Sequence, residues 1–186
     1  MKQALRDAYS EPHRHYHDMR HIEACLRELA ALDGPTAEER KILEYAIWWH
    51  DAVYDPTRAD NEEQSAALAE RDLTQLGVDA VTRATVARLI RATRDHKVAP
   101  DDRLGMLLVS IDLSILGQSP VEYDSYAAAI RAEYAHVPDA AFRAGRAAVL
   151  RRFLAAPAIY PDAEFRCRYE AQARANIARE IARLEG

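Results

Sequence analysis

"KILEYAIWWHDAVY", Lys41 to Tyr54, is the stretch whose reading decides the fold. On a helical wheel at about 100° per residue, Ile42, Leu43, Ala46, Ile47, Trp49, Val53 and Tyr54 fall on one face. That pattern predicts a helix over 36–54 with one side in a core. His50 falls in the middle of the apolar face and Asp51 at its border. A carboxylate in so apolar a setting is costly unless something neutralises it. Two other segments carry the same kind of intrusion. "LLVSIDLSIL" continues a stripe of Leu104, Leu108, Ile111 and Ile115 with Asp112 beside it. "PHRHYHDMRH", Pro12 to His21, gathers four of the seven histidines. Of these, His17 and His21 stand four apart, a spacing that shares one helix face, next to Ile22, Cys25, Leu29 and Leu32.

The rest of the chain reads as helix too. Its 186 residues include only 6 Gly, are rich in Ala, Arg, Glu and Leu, and hold no alternating strand pattern of useful length. Apolar spacings of three and four predict helices near 17–33, 36–54, 60–76, 78–94, 101–116, 120–136, 138–155 and 162–184. "DGPTAEE" supplies a stop and then a capping box of Thr36 and Glu39. "YDPTRAD", "LGVD", "KVAPDD", "LGQSP" and "HVPD" mark further turns. The expected architecture is all-α, a single-domain helical bundle over 1–186.

Charge and cysteine usage bound the function. With 25 Lys+Arg against 30 Asp+Glu, the net charge of -5 argues against specific binding of nucleic acid through its phosphates. Cys25 and Cys167 are far apart and form neither a disulfide framework nor a thiolate zinc pattern, which fits a reducing cytoplasm. "MKQALRDAYS" lacks the apolar run of a signal peptide, and Met106–Leu116 is too short for a bilayer. The expectation is a soluble, cytoplasmic protein.

Each polar intrusion alone has a bland explanation. A single His on an apolar face is commonly a hydrogen-bonded core residue, and a single Asp near a helix end can pair with an Arg. Together, an adjacent His-Asp pair, a separate helical His and a distant Asp supply two imidazoles and two carboxylates. That nitrogen–oxygen set suits a borderline divalent ion. A metal would also balance the charge of Asp51 and Asp112 at short range.

The motifs then come in a recognisable order: "YHDMRHI", "AIWWHDAVY", "NEEQSA", "TRDH", "DLSILG" and "IRAEY". Over nearly the whole chain this resembles the HD superfamily of metal-dependent phosphohydrolases, in particular a bacterial branch of predicted HD hydrolases. "YHDMRH" also resembles the "YHNxxH" segment of cyclic-nucleotide phosphodiesterases, with Asp18 where those enzymes have Asn. The resemblance implies that His21, His50, Asp51 and Asp112 hold one or two divalent ions (Mn²⁺, Mg²⁺, Fe²⁺, Ni²⁺ or Co²⁺). It implies His17 as the proton donor to the leaving oxygen, although the roles of His17 and His21 are open to exchange. The implied substrate is a small phosphate ester, most plausibly a nucleotide.

Further positions have two readings. His96 and Lys97 in "TRDHKV" stand where a second-metal ligand or phosphate contact could come from, or they cap a helix end and meet solvent. The resemblance raises Asn61 and Glu62 as contacts to metal-bound water, whereas Asp60 as N-cap would explain these acids without chemistry. Arg131 could contact substrate or pair with a neighbouring acid. The C-terminal helix reads as a packing element or a homodimer contact. Two other functions stay open: oxygen chemistry at a di-iron centre, and a non-catalytic module that binds metal or nucleotide.

Overall fold

The computed structural model describes residues 2–186. Its fold is all-α, with nine helices, one 3-10 turn and no strand among the described residues. The chain divides into two compact units, one ending at Asp112 and the other Leu113–Gly186. No single helix among the described residues is long and apolar enough to cross a membrane.

The first unit contains α1 (Lys2–Ala8), α2 (Met19–Ala31), α3 (Ala37–Trp49), α4 (Asn61–Gln75), α5 (Ala80–Ala92) and α6 (Arg103–Asp112). The quoted stretch supplies its centre: α3 packs against α2, α4, α5 and α6. Leu43, Ala46, Ile47 and Trp49 of α3 are buried with Ile22, Leu73, Leu89 and Ile111. Removing such apolar area from water is the main force that holds helices of this length together. Local signals fix where they start and stop. Thr36 and Glu39 form the reciprocal capping box the sequence predicts. Gly77, at φ +70°, ends α4: its N–H donates to Thr74 O and the Val78 N–H donates to Leu73 O, a Schellman closure.

Several boundaries differ from the sequence expectation, each for a local reason. The helix predicted from 17 starts at Met19, because Asp18 turns outward and accepts from the Arg20 N–H at 2.8 Å. His17 therefore precedes α2 and does not share a helical face with His21. The helix predicted to reach 54 ends at Trp49, leaving His50 as its cap and Asp51 beyond it. There the carbonyls of Asp51 and Ala52 turn to a side chain, Arg14, and do not continue the helical ladder. Asp60 does not cap α4 with its side chain; Arg58 and Gln64 hold its carboxylate instead. The short α1 carries no clear periodicity and was not anticipated.

The second unit opens with the 3-10 turn Leu113–Gly117 and continues with α7 (Pro120–Glu133), α8 (Asp139–Ala155) and α9 (Ala163–Glu185). One helix had been expected over 101–116; α6 stops at Asp112 and the chain tightens into the 3-10 turn. A Cβ on Gly117 would sit 2.5 Å from Tyr169 Cβ, so this close approach requires glycine. Tyr123, Leu150, Tyr160, Phe165 and Ile177 form this unit's core.

Candidate metal centre

Four of the predicted ligands converge. His21 comes from the first turn of α2, His50 and Asp51 from the end of α3, and Asp112 from the last position of α6. His21 Nε2 lies 3.1 Å from His50 Nε2, 3.2 Å from Asp112 Oδ1 and 3.5 Å from Asp51 Oδ2. His50 Nε2 lies 2.9 Å from Asp51 Oδ2 and 3.6 Å from Asp112 Oδ1. All four belong to the first unit. His50 is legible in the sequence as a polar group in the middle of an apolar face, and Asp51, Asp112 and His21 as polar groups bordering one.

The donor atoms are oriented for the task. His50 Nδ1 is 2.8 Å from Ile47 O, and a carbonyl only accepts, so Nδ1 carries the hydrogen and donates it. Nε2 is then the atom His50 turns toward the cluster. Such a hydrogen bond on the far nitrogen is the usual way a ligating imidazole is fixed in orientation. Donors bonded at about 2.0–2.2 Å to one ion stand about 3 Å apart at right angles and about 3.4 Å apart tetrahedrally. The separations of the two imidazoles from each other and from each carboxylate, 2.9–3.6 Å, lie in that range. Asp51 joins His21 and His50 in one compact group of donors and Asp112 joins His21 and Cys25 in another, and imidazole nitrogen with carboxylate oxygen suits a borderline divalent ion. The residues present therefore fit a metal.

Exposure is uneven around the cluster. The side chains of His21 and His50 keep 2% of their accessibility, whereas Asp51 and Asp112 keep 17% and 16%. The imidazoles are thus covered, while the carboxylates keep some contact with solvent. Burial pushes the Asp112 carboxyl up, but hydrogen bonds from His21, His50 and His96 outweigh it and hold the group well below the ordinary carboxylate range. Asp51 is likewise held low: burial raises it, and His50 outweighs that. His50 moves the other way. Burial lowers the imidazole, and the two carboxylates more than compensate, holding it well above its ordinary value. Without a metal, the elevated His50 imidazole offsets part of the charge of the two carboxylates.

The other sequence candidates are distributed as follows. His96 joins the cluster from the turn after α5, its Nε2 3.1 Å from Asp112 Oδ2, with its backbone at φ +56°. His17 stacks on Tyr54, with centroids 4.2 Å apart, and its ring lies 6.0 Å from that of His21. Asn61 accepts from the Asp55 N–H at 3.1 Å and donates to Asp55 O at 2.8 Å, tying down the loop that follows the His-Asp step. Glu62 is half-buried in the first turn of α4. Lys97 is exposed and lies 3.5 Å from Asp95. Arg131 belongs to the second unit, where it donates to Tyr134 O and Val137 O, lies 3.5 Å from Asp139 and covers the Phe142 ring.

Two residues at the centre escaped the sequence reading. Cys25, one turn after His21, places its Sγ 3.8 Å from both nitrogens of that ring. Burial, followed by the charges of Asp112 and Asp51, pushes the Cys25 thiol well up in the metal-free protein. Its Sγ nevertheless forms, with His21 and Asp112, a second group of donors within 4.8 Å of one another. Its signal was present as one more member of an apolar stripe, which is how it was read. Arg14 is the other. Its side chain is 0% exposed although it stands among exposed neighbours, and no local periodicity marks it.

In comparisons with known proteins, no family model, no curated protein and no solved structure matches this chain.

Proposed function

We propose that the protein is a metal-dependent hydrolase of small phosphate esters, with a nucleotide as the best-fitting substrate. The observation that carries this reading is the convergence of His21, His50, Asp51 and Asp112 from three helices, with the two imidazole nitrogens 2.9–3.6 Å from each other and from each carboxylate. These four would hold the ion. When bound, a divalent ion supplies Lewis acidity, acidifying water and offsetting charge on phosphoryl oxygens. The partly exposed carboxylates leave the substrate a way in.

The chain's own residues would do the rest. His17, beside the cluster but outside its donor set, is the proton donor to the leaving oxygen, work suited to an imidazole titrating near neutrality. Tyr54, stacked on His17, holds that ring in place. His21, whose Nε2 lies within reach of all three other donors, is the better ligand of the two histidines. The order of motifs quoted from the sequence supports phosphate as the leaving chemistry, by analogy only.

A second reading keeps the metal and changes the reaction. Asp112 turns one oxygen to His21 and the other to His96, which favours room for two ions and thus for di-iron oxygen chemistry. One experiment separates the readings. Purified protein is analysed for metal, then assayed for phosphate release from a nucleotide panel with Mn²⁺, Mg²⁺, Fe²⁺, Ni²⁺ and Co²⁺, beside Asp51→Ala. Phosphate release lost in Asp51→Ala supports hydrolysis. Iron with oxygen consumption and no phosphate release supports the alternative, and no metal uptake at all overturns both.

A further inference from the structure

From the way it ties two segments of the centre together, we infer that Arg14 is a positioning residue: its buried guanidinium sets the places of Asp51 and His17 through their backbone carbonyls. The inference rests on the metal-centre reading given above.

Nη1 donates to Asp51 O at 2.7 Å and to His17 O at 3.0 Å, so a single nitrogen joins the candidate ligand to the candidate proton donor. Nη2 donates to Ala52 O at 3.1 Å, and Nε to Glu11 Oε2 at 2.9 Å. The guanidinium also lies against two rings, 5.2 Å from the Tyr9 centroid and 5.5 Å from Tyr54. Tyr9 in turn donates to Trp48 O at 3.1 Å, and Tyr54 stacks on His17. Apart from Glu11 and Tyr9, the groups that Arg14 touches belong to His17, to the segment Asp51–Ala52, or to the ring stacked on His17.

The chemistry explains why an arginine is used. Past Trp49 the carbonyls of Asp51 and Ala52 have left the helical ladder and need donors of their own. A helix stop alone is met by Gly or Asn, at no cost in buried charge. A fully covered guanidinium is expensive unless its N–H groups are used. Only its planar fork reaches carbonyls on two segments at once, 34 residues or more apart in sequence (His17 and Asp51), in a fixed geometry. Lysine could supply the charge but not the fork.

The test compares wild type, Arg14→Met and Arg14→Lys with Arg40→Met as a matched control. Arg40 also spends its guanidinium on carbonyls, those of Leu29 and Leu32 at the far end of α2, and so has a purely structural role. Co²⁺ affinity is read from visible absorption, and amide exchange is followed at Val53, whose N–H donates to Ser65 Oγ at 3.0 Å. Arg14→Met should weaken Co²⁺ binding by about 10- to 100-fold, the usual cost of losing a group that orients a ligand. Val53 should exchange faster. Arg14→Lys should fall between, and carries the test if the Met variant does not fold. Arg40→Met should bind Co²⁺ within about twofold of wild type, in line with independence of distant sites. The inference is overturned if folded Arg14 variants bind like wild type, or if Arg40→Met loses as much affinity for an equal loss of Tm. Should wild type take up no Co²⁺, the metal reading falls, and exchange alone decides: faster exchange in the Arg14 variants and not in Arg40→Met supports the tie, and no difference ends it.

Discussion

His21 and His50 face each other nitrogen to nitrogen, Nε2 to Nε2, at 3.1 Å. Two lone pairs repel at that separation, so something positive belongs between them. In the metal-free protein an N–H of one ring fills that place, and the elevated His50 imidazole between two depressed carboxyls favours a full imidazolium there. A divalent ion must therefore displace that proton. Metal affinity should rise about tenfold per pH unit while the imidazolium remains protonated, with about one proton released per ion. Calorimetric titration of Co²⁺ in two buffers of different ionisation enthalpy counts the proton directly. Affinity that is flat with pH near neutrality would sink this account of the cluster.

The same proton shapes the stability of the metal-free protein. Asp51 and Asp112 are depressed when folded, so their contribution is present above the ordinary 3.8 and lost as pH falls below it. His50 is elevated when folded. Its contribution is present below the ordinary 6.5 and lost as pH rises through the higher folded value. Tm without metal should peak in the mildly acid range between these two and fall on both sides. Saturating Co²⁺ should remove the alkaline fall, because the ion replaces the proton. Thermal melts across pH, with and without Co²⁺, provide the check; a metal-free Tm that keeps rising through pH 8 contradicts the assignment.

How much of this was legible in the sequence depends on whether a residue breaks a period. His50, Asp51 and Asp112 stand out because helical spacing assigns their positions to the core or its border, and the structure brings them together. His21 came from its four-residue spacing to His17 and from the motif resemblance, and the shared helix face behind that spacing is absent because α2 starts at Met19. Arg14 could not be, because it sits in the turns before α2, where no period exists to violate and an arginine among exposed residues reads as solvated. The length of α3 was overread for a related reason. Val53 and Tyr54 lie in register with its apolar face, but the backbone there bonds to Arg14 and Ser65 and leaves the helix. Capping chemistry was legible where one side chain had one available partner, as at Thr36. It failed at Asp60, where Arg58, two residues away, takes the carboxylate first.

His96 combines a strained backbone with a contact to the cluster. A non-glycine residue at φ +56° costs of order 1 kcal/mol and persists where its surroundings require it. What requires it is the approach of its ring to Asp112 Oδ2 at 3.1 Å. His96→Gly relieves the backbone and loses that contact, so the two effects should nearly cancel in stability, within about 1 kcal/mol. Metal binding or phosphate release should nevertheless drop. Urea unfolding beside a Co²⁺ titration measures both. A large loss of stability with unchanged Co²⁺ binding would show that His96 serves only the fold.

Within the second unit, Glu180 makes a prediction of the opposite kind, about stability alone. Its carboxylate accepts from Tyr123 at 2.5 Å and from Arg146 Nε at 2.8 Å, with only 6% of its side chain exposed and 11% of Arg146. Burial first, and then Glu180, push the Tyr123 phenol well above its ordinary range, so it remains a donor wherever the protein is folded. Glu180→Gln keeps an acceptor for Tyr123 but leaves the buried guanidinium without a counter-charge, at a cost of about 3–5 kcal/mol. Arg146→Met alone should also destabilise, by stranding the carboxylate. The double variant Arg146→Met/Glu180→Gln strands neither charge, so it should be milder than the sum of the singles by about 0.5–3 kcal/mol. Chemical denaturation of all four proteins closes this cycle. Strict additivity would mean that the pair is coupled through solvent and that burial does not set its strength. Co²⁺ affinity should not change in any of them, because all four candidate donors belong to the first unit.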